Sequence, residues 1–208
     1  MRKYMDKLSK LFNINKKTLV FLLGLLFIGI ISGCIFNILL VNQDQEIVKT
    51  YLVNFIELIK NNKLNYINTF KDSIIFNYLY IIIIWTLGVS IIGIPIIFFM
   101  FFGKSFTLGF TLSTIIKNYG IKGCLLSLGY VFPHYIINIL VFLILTAYST
   151  VLSLKMIKSI LRKKNIDFKP IMKKYSFILL ISLILILLTS LCEAFIMPVA
   201  IKYIINII

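Results

Sequence analysis

Histidine occurs once in these 208 residues, at position 134, and acidic residues occur only seven times. One imidazole leaves no histidine-based metal set. The three cysteines (Cys34, Cys124 and Cys192) form no C-x-x-C spacing, so no zinc or dithiol centre is expected, and no other cofactor. They fall in or beside apolar runs, where cysteine serves as a small packing residue. H-E-x-x-H, G-x-G-x-x-G, P-loop and Ser–His–Asp patterns are all missing. A lone histidine and one acidic residue at membrane depth are thin equipment for catalysis, so an enzyme is not expected. Charge is scarce as well. Only 14% of residues are charged, against about 25% in a soluble domain.

Apolar residues fill the space left by charge: the chain is 60% hydrophobic with mean hydropathy +1.01. That is more apolar surface than one globular core can bury, and it marks an all-α polytopic membrane protein, a single integral domain over 1–208. Five membrane segments are expected, at about 18–41, 74–102, 105–116, 123–150 and 176–197. Between them lie a polar, charge-balanced loop at 42–73 and a basic loop at 155–174. Of 22 basic residues, six lie in Arg2–Lys17 and eight in Lys155–Lys174. Under the positive-inside rule these stretches are cytoplasmic, which puts the N-terminus inside the cell membrane and the 42–73 loop and C-terminus outside. The same clustering beside apolar runs argues against nucleic acid as the reason for the +15 net charge.

Ser105 to Ile116 is only about 18 Å long as a helix, so the third segment is expected either to cross or to re-enter. Gly103-Lys104 reads as the cytoplasmic turn before it, and Lys117 to Lys122, around Gly120, as a shallow outer turn. The preceding run, 74–102, is longer than one span needs, so it can tilt, or bend at Gly88 and at Gly93-Ile94-Pro95, where Pro95 removes a backbone donor. Gly29 and Gly33 on the first segment, and Ser105, Gly109 and Ser113 on the third, form small-residue stripes for close helix packing or self-association as a homodimer. Ile31-Ser32-Gly33-Cys34 resembles a lipoprotein cleavage box. Ile35 to Val41 stay apolar past the cysteine, however, so a retained membrane helix is expected. In the outer loop Ile47, Val48, Tyr51, Leu52, Phe55, Ile56 and Ile59 fall on one helical face. That stripe either covers the bundle or meets a partner, with Tyr51, Phe55 and Ile59 as the contact residues.

The polar groups at depth are His134, after the helix-breaking Pro133, with Asn138 one turn on and Glu193 in the last segment. A His134–Glu193 hydrogen bond is geometrically open. Such a cluster acts either as a structural latch that fixes helix register or as a cavity for a proton or polar ligand.

Three stretches carry a family resemblance by their order, spacing and topology. They are Gly103-Lys-Ser-Phe-Thr-Leu-Gly109-Phe, Phe132-Pro133-His134 with a polar residue four positions later, and Glu193-Ala-Phe195 followed by Pro198. With five segments in about 200 residues, the chain resembles stage II sporulation protein M and its wider membrane-protein family. Where Asn138 stands, broader members are expected to carry an acid, which argues against a proton relay here. The resemblance implies a non-enzymatic membrane anchor at the sporulation septum and engulfing membrane, holding stage II sporulation proteins D and P, two peptidoglycan-cleaving enzymes. The 42–73 loop would meet these partners outside, and their membrane anchors would pack on the small-residue stripes. The alternative is a transporter or channel-like subunit built around the polar cavity.

Overall fold

The computed structural model describes residues 16–90, 92–131, 134–162 and 168–207. In chain order the helices are α1 (Lys16–Leu39), α2 (Asn42–Lys60), α3 (Tyr66–Gly88), α4 (Gly93–Val131), α5 (His134–Arg162) and α6 (Phe168–Leu191). A π-helical turn, Cys192–Ile196, then leads into α7 (Met197–Ile207). No strand occurs among the described residues. Five helical stretches are long and apolar enough to cross a membrane: α1, α3, α4, α5 and the run from Lys169 to Ile205. The chain is thus an all-α polytopic membrane protein. On α1, Phe27, Ile28, Ile31, Ile35 and Ile38 are each half or more exposed, an apolar face suited to the bilayer.

Two expected boundaries are wrong, for one reason. The chain does not turn at Gly103-Lys104; it turns between Gly88 and Gly93. There α5 satisfies the freed carbonyls of α3: Ser153 Oγ lies 2.8 Å from the Gly88 carbonyl and 3.0 Å from that of Ser90. Tyr175 donates to the Trp85 carbonyl at 2.9 Å while its ring stacks on that indole. These contacts end α3 after 23 residues, where 29 in a row are uncharged. Pro95 therefore bends no helix; it sits in the first turn of α4, where its missing N–H costs nothing. The third membrane segment is correspondingly not short. From Gly93 to Gly120 it runs about 40 Å at 1.5 Å per residue.

The reversal expected around Gly120 is present. Its φ of 59° and ψ of −134° break α4 into two limbs, and only glycine takes that conformation readily. Pro133, the other expected helix break, lies outside the described residues.

The main core joins α1, α3, α4, α5 and α6 through fully buried Leu22, Ile84, Ile97, Phe142, Leu145 and Ile186. The two small-residue stripes face each other inside it. A Cβ on Gly33 would stand 2.2 Å from the Phe106 carbonyl oxygen, and one on Gly109 would stand 2.0 Å from that of Ile30. A Cβ on Gly29 would meet the Ser105 Cβ at 2.6 Å. Two polar bonds fix the register: Cys34 Sγ donates to the Gly109 carbonyl at 3.3 Å, and Asn37 Nδ2 to Ser113 Oγ at 3.0 Å. Gly29, Gly33, Ser105, Gly109 and Ser113 are spent on the α1–α4 contact, so no partner anchor can use them as expected. Cys34 lies inside unbroken α1.

A second, smaller core covers the Gly120 end. It holds Ile59 of α2, Ile115 and Leu126 from the two limbs of α4, and Met197 and Ile201 of α7, with Leu52 and Phe55 packed against it. The amphipathic helix thus lies over the bundle. Of the expected contact residues, Phe55 and Ile59 face inward, whereas Tyr51, 75% exposed, stands at the edge of the cavity beneath α2.

Candidate functional site

Lys104 sits near the middle of the first limb of α4, with its ammonium group inside the bundle. It donates to Asn77 Oδ1 of α3 at 2.8 Å and lies over the rings of Phe142 and Tyr80, 5.1 and 5.3 Å from their centroids. Asn77 Nδ2 donates to Ser73 Oγ one turn earlier, at 3.3 Å. Ser73 in turn donates to Glu193 Oε2 at 2.5 Å, and the Ser190 hydroxyl lies 3.0 Å from that of Ser73. A lysine of α4 and a glutamate of the π-helical turn are thereby joined across α3 by two neutral side chains. Uncompensated charge is costly at this depth, and the chain of bonds supplies each ion with a partner and a counter-charge within electrostatic reach. A π turn carries one residue more than α-helical spacing allows and often marks functional positions. Here it turns Glu193 toward α3.

The three polar residues expected as one cluster have three different sets of neighbours. Glu193 bonds Ser73 and makes no hydrogen bond to His134. Asn138 accepts from Thr189 Oγ1 at 2.5 Å, joining α5 to α6 within the bundle. His134 is 1% exposed, and neither ring nitrogen has a hydrogen-bond partner. Its ring meets Tyr130 and Tyr135 edge-on, with centroids 5.9 and 6.0 Å away. It interacts with the charges of Glu193 and Lys104 only through space. The imidazole packs as a flat ring against two others, a contact that needs no proton.

Sequence reasoning missed Lys104, Asn77 and Ser73. Lysine beside glycine reads as a boundary because cations at mid-membrane are rare. The available signal was the length of the apolar run on both sides of Lys104.

Beneath α2 lies a cavity of about 350 Å³. Leu52, Phe55, Ile115, Leu126 and Met197 make its apolar wall, while Tyr130 and Glu193 supply polar groups. A mostly apolar cavity with a few convergent polar groups has the form of a binding site. Among the described residues no group of three or more His, Cys, Asp or Glu is placed to hold a metal ion.

Lys104 lies in the first of the three stretches that carry the resemblance, and Glu193 opens the third. In the fold they share one bonded network, with His134 beside it. A family model for stage II sporulation protein M matches residues 18–198, nearly the whole chain. No curated protein and no solved structure matches it. The chain belongs to the stage II sporulation protein M family.

Proposed function

From membership in the stage II sporulation protein M family, we infer that this sporulation membrane protein is a scaffold. It holds the peptidoglycan-cleaving stage II sporulation proteins D and P at the sporulation septum and engulfing membrane. The single observation that carries this reading is the placement of α2. Its apolar face is locked onto the second core, so its polar face and Tyr51 form a fixed surface over the ends of the helices. On the topology set by the basic stretches, with N-terminus inside and C-terminus outside, that surface lies where wall enzymes work. The membrane anchors of the partners must then meet lipid-facing sides of the bundle, because the small-residue stripes are occupied internally. In a deletion strain we expect arrest at the flattened septum with both enzymes dispersed along the membrane. Normal enzyme localisation in that strain contradicts the scaffold.

One observation favours a second reading, a transporter or channel-like subunit: the cavity under α2 ends on Glu193 and the buried Lys104 network. A Glu193→Gln protein that recruits both enzymes normally, yet changes uptake or release of a solute, would select this reading. Unchanged solute handling with normal recruitment selects the scaffold.

A further inference from the structure

At the end of the bundle opposite α2, the facing sides of α5 and α6 leave a groove of about 210 Å³. Its floor is apolar, from Val151, Leu152 and Ile171, and its rim carries Lys155 and Lys174. Both lysines are exposed. The Lys174 ammonium lies over the ring of Tyr148, 5.4 Å from its centroid, and Lys155 makes no hydrogen bond or ion pair among the described residues. Among the described residues no carboxylate lines the groove. Of the seven acidic residues, only Asp6 and Asp167 fall beside the basic stretches in sequence. The groove thus presents two ammonium groups above an apolar floor, where the charged stretch begins at the end of α5.

We propose that this groove binds an anionic phospholipid. Its headgroup phosphate would lie between Lys155 and Lys174, and one acyl chain would lie along Val151, Leu152 and Ile171. Each requirement has a physical source. Lysine stems lie along apolar surface while their ammonium groups reach the headgroups, and basic pockets between membrane helices on the cytoplasmic side select acidic headgroups. A soluble phosphate ester would gain the two charges but leave the apolar floor uncovered, so the lipid is the better fit. Bound there, the lipid bridges α5 and α6 across their connection and ties the protein to acidic regions of the membrane. This is independent of the scaffold reading.

The test uses the full chain, reconstituted in bilayers of equal phosphatidylglycerol and phosphatidylcholine. Retained lipids are counted by native mass spectrometry after release. We expect phosphatidylglycerol to be retained over phosphatidylcholine. Lys155→Gln with Lys174→Gln should lower retention by about 30-fold, at about fivefold for each lysine. Lys158→Gln with Lys173→Gln, which removes the same charge from neighbouring positions outside the groove, should lower it by less than about threefold. Equal loss in the two double variants would show a diffuse charge effect and overturn the site. Equal retention of phosphatidylcholine would overturn the headgroup preference, and displacement of the lipid by millimolar glycerol phosphate would overturn the lipid as occupant. Each variant is first checked for unchanged elution and helix content, and single Lys155→Gln serves if the pair fails to fold.

Discussion

At the scale of single residues, the interior separates into ions that need each other and a histidine that needs neither. Lys104→Met keeps most of the stem but removes the bond to Asn77 and a cation within electrostatic reach of Glu193. A hydrogen bond to a charged group contributes about 1.5–3 kcal/mol, so we expect a loss of that order, read as a lower unfolding temperature in detergent. Combined with Glu193→Gln, the loss should be smaller than the sum of the singles by about 0.5–3 kcal/mol. Additive losses would mean that the two ions do not communicate. His134 behaves differently, because no hydrogen bond is lost with it. His134→Ala removes a fully buried ring and should cost about 3 kcal/mol, whereas His134→Phe keeps a ring between Tyr130 and Tyr135 and should cost far less. A folded His134→Phe protein that loses activity would show that the imidazole does chemistry beyond packing.

At the scale of helices, the contact between α1 and α4 decides whether the bundle closes. Glycine is a poor helix former, and replacing it with alanine at an open helical position gains about 0.5–1 kcal/mol. We expect that gain at Gly24 and Gly103, where a Cβ would meet nothing within 4 Å. At Gly109 the sign reverses: the added Cβ runs into the backbone of α1, and overpacking of this kind costs about 1–3 kcal/mol. Unfolding temperatures of the three variants check the sign directly. This interface was half legible in the sequence. The four-residue spacing of Ser105, Gly109 and Ser113 announces a smooth face, but spacing cannot say which helix will cover it. The outer stripe was legible in the same way, since period 3.6 gives the apolar face of α2 while its polar context leaves the cover undecided. The helix ends failed for a different reason. Hydropathy marks a turn by charge, so Lys104 looked like a boundary. The true turn at Gly88 is set by Ser153 and Tyr175, contacts that form only after folding. Glu193 was legible as a polar group within an apolar run, but its partner Ser73 lies 120 positions away in the chain, on a stretch assigned to the outer loop.

At the scale of the whole molecule, the lysines sort by end. Lys16, Lys17, Lys155 and Lys174 share the end that holds the Gly88–Gly93 turn, while Lys117 and Lys122 flank Gly120 at the other. If the basic end is cytoplasmic, a Lys117→Cys protein on a background with the three natural cysteines replaced by alanine should react with an impermeant maleimide on intact cells. Lys158→Cys should react only after permeabilisation, and the reverse pattern would invert the topology. Orientation matters because the proposed scaffold role needs α2 and Tyr51 outside, in reach of enzymes that cut the wall. The most direct test is a photo-cross-linking residue at position 51 of the tagged full-length chain, activated in sporulating cells, with positions 59 and 158 as the buried and opposite-side controls. Capture of a stage II sporulation protein D or P from position 51, and from neither control, is the expected result. Recovery of neither enzyme from position 51, in cells where both are made and the tagged chain is at the septum, would contradict it.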